Sequence, residues 1–248
     1  LFEEQAEIIF KSFNQRSFSH HGHYYDIPPK VPYRGYELEE ITLVPRPKHL
    51  PVECWQPIQG GSARALDFMA KHGIKGIIGG GVAEGGAMDE IILGYQKALI
   101  ASGQTDTKLG EGISLGYQFH IAKTQEQAIK EARGFYEENL KMFGHLRLHR
   151  GLTEQQIVDI GDPTKAPTAN LPTIEEAVET GSFLCGPPEL IIDKLKQVEA
   201  RYPGLDRVGM QHPMGTPEKV ICEQLEWLAK EVMPAFKGEI PATTPADD

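Results

Sequence analysis

Apolar positions recur along this chain in two rhythms, one typical of amphipathic helices and one typical of short strands. From Phe2 to Phe13 the apolar side chains follow helical spacing, which predicts a helix over residues 2–15. From residue 52 onward, short apolar runs alternate with longer amphipathic stretches. The predicted strands are 52–59, 75–79, 112–122 and 206–211, and the predicted helices are 63–72, 87–102, 124–143, 188–201 and 216–236. Four successive βα units indicate an α/β fold with a parallel sheet, and four are half of an eight-stranded barrel.

Two of the predicted helices begin with a threonine that can cap them. Thr124 is the predicted N-cap of one helix, and Gln127 three residues later is expected to complete a capping box. Thr216 is predicted to cap the last helix.

Two segments interrupt the βα rhythm. Residues 17–50 are rich in proline and aromatic residues, so we expect short extended pieces there rather than a long helix. Residues 145–180 carry scattered glycines and prolines around a short acidic helix near 173–180, which indicates an insertion or lid. The tail 238–248 is predicted to be frayed, which leaves one expected domain over residues 1–237.

Charge and cysteine content exclude several classes of protein. The formal net charge of −10 and the absence of a basic stripe argue against nucleic acid as a partner. The three cysteines lie far apart without CxxC spacing, which predicts neither a disulfide framework nor a zinc site. No apolar run approaches the ~20 residues of a membrane span, and the start lacks the blocks of a signal peptide, so we expect no membrane partner and a cytoplasmic location.

The first turn of the repeat is a candidate phosphate site. Gln59, Gly60, Gly61, Ser62 and Ala63 join the end of a predicted strand to the start of a predicted helix. Backbone N–H groups, the helix N-terminus and a hydroxyl converge there, and two glycines let a ligand approach the backbone. The same pattern fits an ordinary connection in which serine only caps the helix.

Other candidates stand at later strand ends, where parallel α/β proteins bind their ligands. Gln118 and His120 lie two residues apart and therefore point to the same side of their strand. His120 can equally be a packed strand histidine that is bonded to a neighbour. Gln211 and His212 are candidate substrate contacts, although His212 can also be an ordinary loop residue.

Several familiar motifs are absent or incomplete. The histidines of Ser19–His23 face opposite ways in an extended segment and lack further ligands, so we expect no metal site. The glycines of residues 79–86 do not form GxGxxG, and neither GxSxG nor a P-loop occurs.

Six segments, in order, resemble the luciferase-like flavin monooxygenases and reductases. They are Phe18–Tyr25, Pro45–Pro51, the turn and helix marked by Gly61–Ala63 and Asp67–Gly73, His120–Ala128, Phe183–Glu189 (a helix start in the family) and Glu231–Phe236. The resemblance implies the C-terminal half of a TIM (β/α)8 barrel, strands five to eight with the preceding helix, with the N-terminal half missing. Such a half barrel would leave sheet edges unpaired, so we expect a homo-oligomer.

The resemblance also implies chemistry. It assigns phosphate contacts to Gly61, Ser62 and Ala63, with FMN as the expected cofactor and the deazaflavin F420 as the alternative. Gln118 stands where some members carry a catalytic histidine, which leaves the reaction open. The implied function is monooxygenation of a small organic substrate with reduced FMN and O2, with a flavin reductase as a further expected partner. The alternatives are an F420-dependent hydride-transfer reductase and a truncated half barrel without catalysis of its own.

Overall fold

The protein is represented by a computed structural model that describes residues 1–58, 60–82, 85–149 and 152–236. It divides into two compact units, Leu1–Cys54 and Trp55–Asp248, each with its own internal packing.

The first unit joins one helix to two short hairpins. Helix α1 (Phe2–Asn14) forms where the apolar spacing predicts it. The hairpins are β1 (His20–His21) with β2 (Asp26–Ile27), and β3 (Pro32–Tyr33) with β4 (Tyr36–Glu37), all antiparallel. On α1, the Glu4 carboxylate accepts the backbone N–H groups of Tyr24 and Tyr25 and pairs with His20. The predicted short extended pieces of the proline-rich segment are confirmed.

The second unit is a βα repeat around a parallel sheet. Its elements are β5 (Trp55–Pro57), α2 (Ala63–His72), β6 (Lys75–Gly79), α3 (Ala87–Ala101), β7 (Ile113–Ile121), α4 (Gln125–His145), α5 (Glu154–Ile160), α6 (Ile174–Glu179), β8 (Phe183–Gly186), α7 (Pro188–Arg201), β9 (Arg207–Gln211) and α8 (Glu218–Trp227). The last helix continues as a π turn over Leu228–Val232 and a 3-10 turn over Met233–Phe236. The four predicted strands are present, although β5 is shorter than expected.

Strand β7 organises the sheet. It pairs with β6 on one side and with β9 on the other, and Gln118 has register partners on both sides, Phe183 of β8 and Gln211 of β9. Strands β6 and β8 therefore pair with the same edge of β7, β6 with its first half and β8 with its second half, while β9 pairs with the opposite edge. The described residues form an open sheet of five parallel strands in the order β5-β6-β7-β8, with β9 on the far side of β7, and not a closed barrel.

Alternation along β7 gives the sheet two different faces. The apolar face carries Ile113, Leu115, Tyr117, Phe119 and Ile121, none more than 2% exposed. The polar face carries Ser114, Gly116, Gln118 and His120. Burial on both sides explains why β7 reads as a nearly continuous buried strand.

Two local predictions are wrong. Gln127 does not complete a capping box, because its side-chain amide donates to Glu131 while Thr124 alone caps α4. Thr216 does not cap α8, since its hydroxyl donates to the Pro213 carbonyl and Pro217 takes the N-cap position. A further strand, β8 (Phe183–Gly186), was not predicted, and the helix after it begins at Pro188 as expected.

The 145–180 segment is anchored rather than loosely attached. Helices α5 and α6 both begin with complete capping boxes. Ile174 and Ala177 of α6 are buried in a cluster with α4 and β8. Across the described residues, no helix combines the length and apolar character needed to cross a bilayer.

Candidate functional site

Three glycines lie side by side near the C-terminal edge of the sheet. Gly79 of β6 is the register partner of Gly116 in β7, which is in turn the partner of Gly209 in β9. We call these three residues the glycine row. A Cβ added at Gly79 would meet no described heavy atom within 4 Å, and one at Gly209 would meet only the Leu115 carbonyl at 3.9 Å. The row therefore lies below open space at Gly79 and Gly209, while a Cβ at Gly116 would make ordinary contacts at 3.5–3.6 Å, so packing does not require glycine at any of the three positions.

Two carboxamides border the glycine row. Gln118 and Gln211 are register partners on β7 and β9, and alternation places them on the same face as Gly116 and Gly209. The Gln211 Nε2 atom lies 3.5 Å from the position of a Cβ at Gly116, so its side chain reaches over the row. Gln118 is half-buried and Gln211 is exposed. The structure thus brings together one predicted catalytic residue and one predicted substrate contact.

The predicted phosphate turn is exposed at the C-terminal edge of β5. Gly60, Gly61, Ser62 and Ala63 all reach solvent, and Gln59 lies outside the described residues. The Ser62 hydroxyl caps α2 by accepting the Ala65 N–H at 3.4 Å. Because the hydroxyl oxygen only accepts in this contact, its proton is available to a ligand. Capping and ligand binding are therefore compatible here.

His120 forms a hydrogen bond with a residue of helix α4. It is 4% exposed, and its Nε2 lies 3.0 Å from Oε2 of Glu131 on α4. The Gln127 amide and the His120 ring both lower the pKa of Glu131, against the smaller opposing effect of burial. The packed strand histidine weighed from the sequence is the arrangement observed, and a catalytic role for His120 remains a prediction.

His212 lies on the other face of the sheet from Gln211. Its ring packs against Phe119 with centroids 4.6 Å apart. Burial lowers the pKa of His212, and the neighbouring His120 lowers it further, so the ring is held neutral. Among the described residues neither ring nitrogen has a hydrogen-bond partner. The predicted Gln211 and His212 pair is therefore split between the two faces.

A buried carboxylate that the sequence did not reveal fixes the glycine-rich loop after β6. Asp89, in the first turn of α3 and 2% exposed, accepts the Gly85 N–H at 3.0 Å, the Arg201 guanidinium at 2.8 Å and the Tyr202 hydroxyl at 2.7 Å. Burial alone would raise the pKa of Asp89, but these three donors outweigh it and the pKa is lowered. At the other end of the loop, Gly81 donates to the carbonyl of Gly116 in the glycine row.

A sequence model of the family described as luciferase-like monooxygenase matches residues 1–205. The chain belongs to the luciferase-like monooxygenase family. A search of the curated proteins found no match.

Solved structures of luciferase-like proteins share the fold at low sequence identity. The monooxygenase RslO1 from Streptomyces bottropensis is 14% identical with a TM-score of 0.65, over 95% of this chain and 61% of that one. The oxygenating constituent of 3,6-diketocamphane monooxygenase from Pseudomonas putida, solved with FMN, is 17% identical with a TM-score of 0.60, over 94% and 62%. An F420-dependent secondary alcohol dehydrogenase is 12% identical with a TM-score of 0.58, over 95% and 61%. The chain spans a little over three fifths of the length of these relatives.

Three histidines of the first unit are engaged in local contacts. His20 pairs with Glu4, His21 with Asp26, and His23 packs edge-on against Tyr24. No group of three potential metal ligands occurs within the part of the chain that the structure describes.

Two residues of the glycine row were missed at the sequence level. Gly116 and Gly209 each interrupt an otherwise well-formed strand, and an isolated strand glycine is a recognised signal of close backbone approach. That signal was available, but the register that aligns the two glycines was not.

Proposed function

We propose that this luciferase-like chain is part of a flavin-dependent oxidoreductase, most specifically a monooxygenase that uses reduced FMN and O2 on a small organic substrate. One observation carries the proposal. The glycine row, bordered by Gln118 and reached by the Gln211 side chain, forms a strip of backbone without side chains of its own toward the C-terminal side of a parallel sheet in a member of this family.

The residues present fit a flavin. A planar ring system can lie against the glycine row, since a side chain at those positions would occupy that space. The carboxamides of Gln118 and Gln211 offer donors and acceptors to the polar edge of such a ring. The exposed turn Gly60–Ala63, at the N-terminus of α2, offers backbone N–H groups and the Ser62 hydroxyl to its phosphate.

The bound flavin would supply the electrons and the oxygen chemistry, while the chain positions the reactants. Gln118 and Gln211 are uncharged, so their role is orientation by hydrogen bonds rather than proton transfer. His120 would act as a catalytic residue only if it left Glu131 or used its other ring nitrogen. The anchored 145–180 segment is proposed to select the substrate, and replacing its exposed residues 162–168 should change KM and leave flavin affinity intact.

Two alternatives remain in view. One solved relative is F420-dependent, and a deazaflavin enzyme of this kind would transfer hydride to its substrate without consuming oxygen. The chain also spans about 61–62% of the first relatives, so the polar face of its sheet could need a further segment, or a second copy, for activity. A flavin reductase is the proposed electron donor in the monooxygenase case.

The first test is a fluorescence titration of FMN and of F420. The parent chain is compared with a Gly61→Asp, Ser62→Ala double variant and with Gly79→Val, which places a side chain above the glycine row without a clash. Gly134→Val is the matched control, because Gly134 lies on α4 and its added Cβ also meets open space.

We expect FMN to bind the parent and the control, and to bind both test variants at least tenfold more weakly. F420 binding without FMN binding would favour the reductase. If neither cofactor binds the parent, the proposal is wrong for this chain as an independent unit. Oxygen uptake with chemically reduced FMN then separates monooxygenation from hydride transfer.

A further inference from the structure

A second cavity lies on the apolar side of the sheet, away from the glycine row. It measures about 190 Å³, opens to solvent on one side, and is lined by residues of α7, by Val82 after β6 and by the turn before β8. Its apolar walls are the side chains of Val82, Leu184, Leu195 and Val198. Because the odd-numbered residues of β7 face this side, the cavity and the proposed flavin site are separated by the sheet itself.

The inner end of the cavity holds a buried hydroxyl. Tyr117 of β7 is 2% exposed and lines the cavity. No described residue accepts a hydrogen bond from its hydroxyl, and the Val82 backbone N–H faces the hydroxyl oxygen. Burial raises the pKa of Tyr117, against a smaller opposing effect of Val82, so the hydroxyl keeps its proton and is a donor at neutral pH. A buried donor without a partner is destabilising unless a bound molecule accepts its hydrogen bond.

The cavity is also lined by a cation that no described residue pairs with. Lys194 of α7 is half-buried and lines the cavity, and the described residues offer it neither an ion pair nor a hydrogen bond. Arg201 lines the same wall, but its charge is balanced by the buried Asp89. Glu179 lies at the rim, where it is exposed and screened by water. Lys194 is therefore the charge that a ligand would meet inside.

We propose that this cavity binds a small organic carboxylate, with its apolar body between Val82, Leu184 and Val198 and its carboxylate between Tyr117 and Lys194. The volume sets the size. An apolar protein cavity of about 150 Å³ accommodates benzene, so the larger volume here suits an aryl or branched aliphatic acid of about nine or ten non-hydrogen atoms. A neutral phenol and an ammonium group are both donors and are complementary to a carboxylate.

The test is a fluorine NMR titration of 4-fluorobenzoate against the full chain, with 4-fluorobenzyl alcohol as the uncharged analogue. Tyr117→Phe removes only the unpartnered hydroxyl, and Lys194→Met removes only the charge. The matched controls are Tyr136→Phe, a buried tyrosine of the α4 cluster, and Lys196→Met, an exposed lysine on the same helix. None of these changes creates a large void, and thermal unfolding of each variant verifies its fold.

We expect saturable binding of the acid, weakened at least about tenfold by Tyr117→Phe and by Lys194→Met and unchanged in the two controls. Val198→Phe, which fills the cavity, should abolish it. The proposal is wrong if the acid fails to bind in the millimolar range, or if Tyr117→Phe binds it as the parent does. Equal binding of the alcohol would overturn the carboxylate assignment. Because the readout does not involve flavin, failure here leaves the proposed function untouched.

Discussion

Asp89→Asn should destabilise the second unit while leaving its shape almost unchanged. The carboxylate is the shared acceptor of three donors, from Gly85, Arg201 and Tyr202, and thereby ties the start of α3 to the loop before it and to the end of α7. An amide of the same size keeps one acceptor oxygen and turns an NH₂ group toward donors that need acceptors. The substitution therefore removes charge and hydrogen bonds without creating a cavity.

The expected loss in the free energy of unfolding is about 2–4 kcal/mol. Each hydrogen bond to a charged group contributes about 1.5–3 kcal/mol, and breaking a buried ion pair costs about 3–5 kcal/mol. We place the value toward the lower end because the Arg201 side chain is 36% exposed and water can take up its charge, whereas that of Asp89 is 3% exposed.

The pH dependence gives a second readout. The folded-state pKa of Asp89 lies below its ordinary value of 3.8, so the folded protein binds fewer protons than the unfolded chain between the two pKa values. The stabilisation that ionised Asp89 adds to the folded state is therefore present above about pH 4 and is lost as the pH falls through the folded pKa. The stability difference between parent and Asp89→Asn should be constant between about pH 5 and 8 and should shrink in more acidic solution.

Urea unfolding, followed by the fluorescence of Trp55 and Trp227, measures both effects. Asp193→Asn is the control, because it removes the same charge from an exposed position on α7. Amide exchange at Gly85 should also accelerate in Asp89→Asn. A loss below about 0.5 kcal/mol, or one that is the same at pH 3 and pH 7, would refute the reasoning.

Three further predictions test other parts of the molecule. Gly22→Ala should destabilise the first unit, because the added Cβ would lie 2.0 Å from Oε1 of Glu4. Thermal melting of the whole chain, followed by circular dichroism, should show an earlier unfolding transition. Gln224→Leu should cost about 2–4 kcal/mol in urea, since it strands a backbone N–H and a carbonyl of β7; an unchanged midpoint would contradict this. In native protein at pH 8, iodoacetamide should modify the exposed Cys222 and spare Cys185, whose pKa burial raises to about 12. Peptide mass spectrometry of native and unfolded protein shows which of the two cysteines is alkylated.

Local signals were sufficient for most elements of the second unit. Helices α2 and α7 and strand β6 have the predicted boundaries, because their apolar spacing is bounded by a cap, a proline or a glycine. Strand β8 was missed, since four buried residues before a proline show no periodicity that distinguishes a strand from the loop that leads into a helix. The two wrong capping predictions have one cause. In each case the side chain bonds to another group instead of the backbone N–H that the capping pattern assigns to it, as Gln127 does with Glu131.

The candidate site was predicted in its parts but not in its arrangement. Gln118 and Gln211 were both selected as strand-end residues, yet only the register of β7 with β9 shows that they are neighbours. His212 was selected by the same rule and lies on the opposite face, because one residue of displacement along a strand reverses the side chain. Register depends on packing between elements more than 90 residues apart in the chain, and a single sequence does not encode it in any local pattern.

Strand β7 connects the two proposed sites and makes them separable. Gly116 belongs to the glycine row and Gln118 borders it on one face, and Tyr117 between them contributes the hydroxyl of the second cavity on the other. Their side chains point in opposite directions, so substitutions at Gly79 and at Tyr117 share no side-chain contact and should act additively on stability. A change that shifts the β7 register would instead exchange the faces and disable both sites together. Additive single effects would therefore support two independent sites, whereas strong coupling between Gly79→Val and Tyr117→Phe would show that both variants act through the strand.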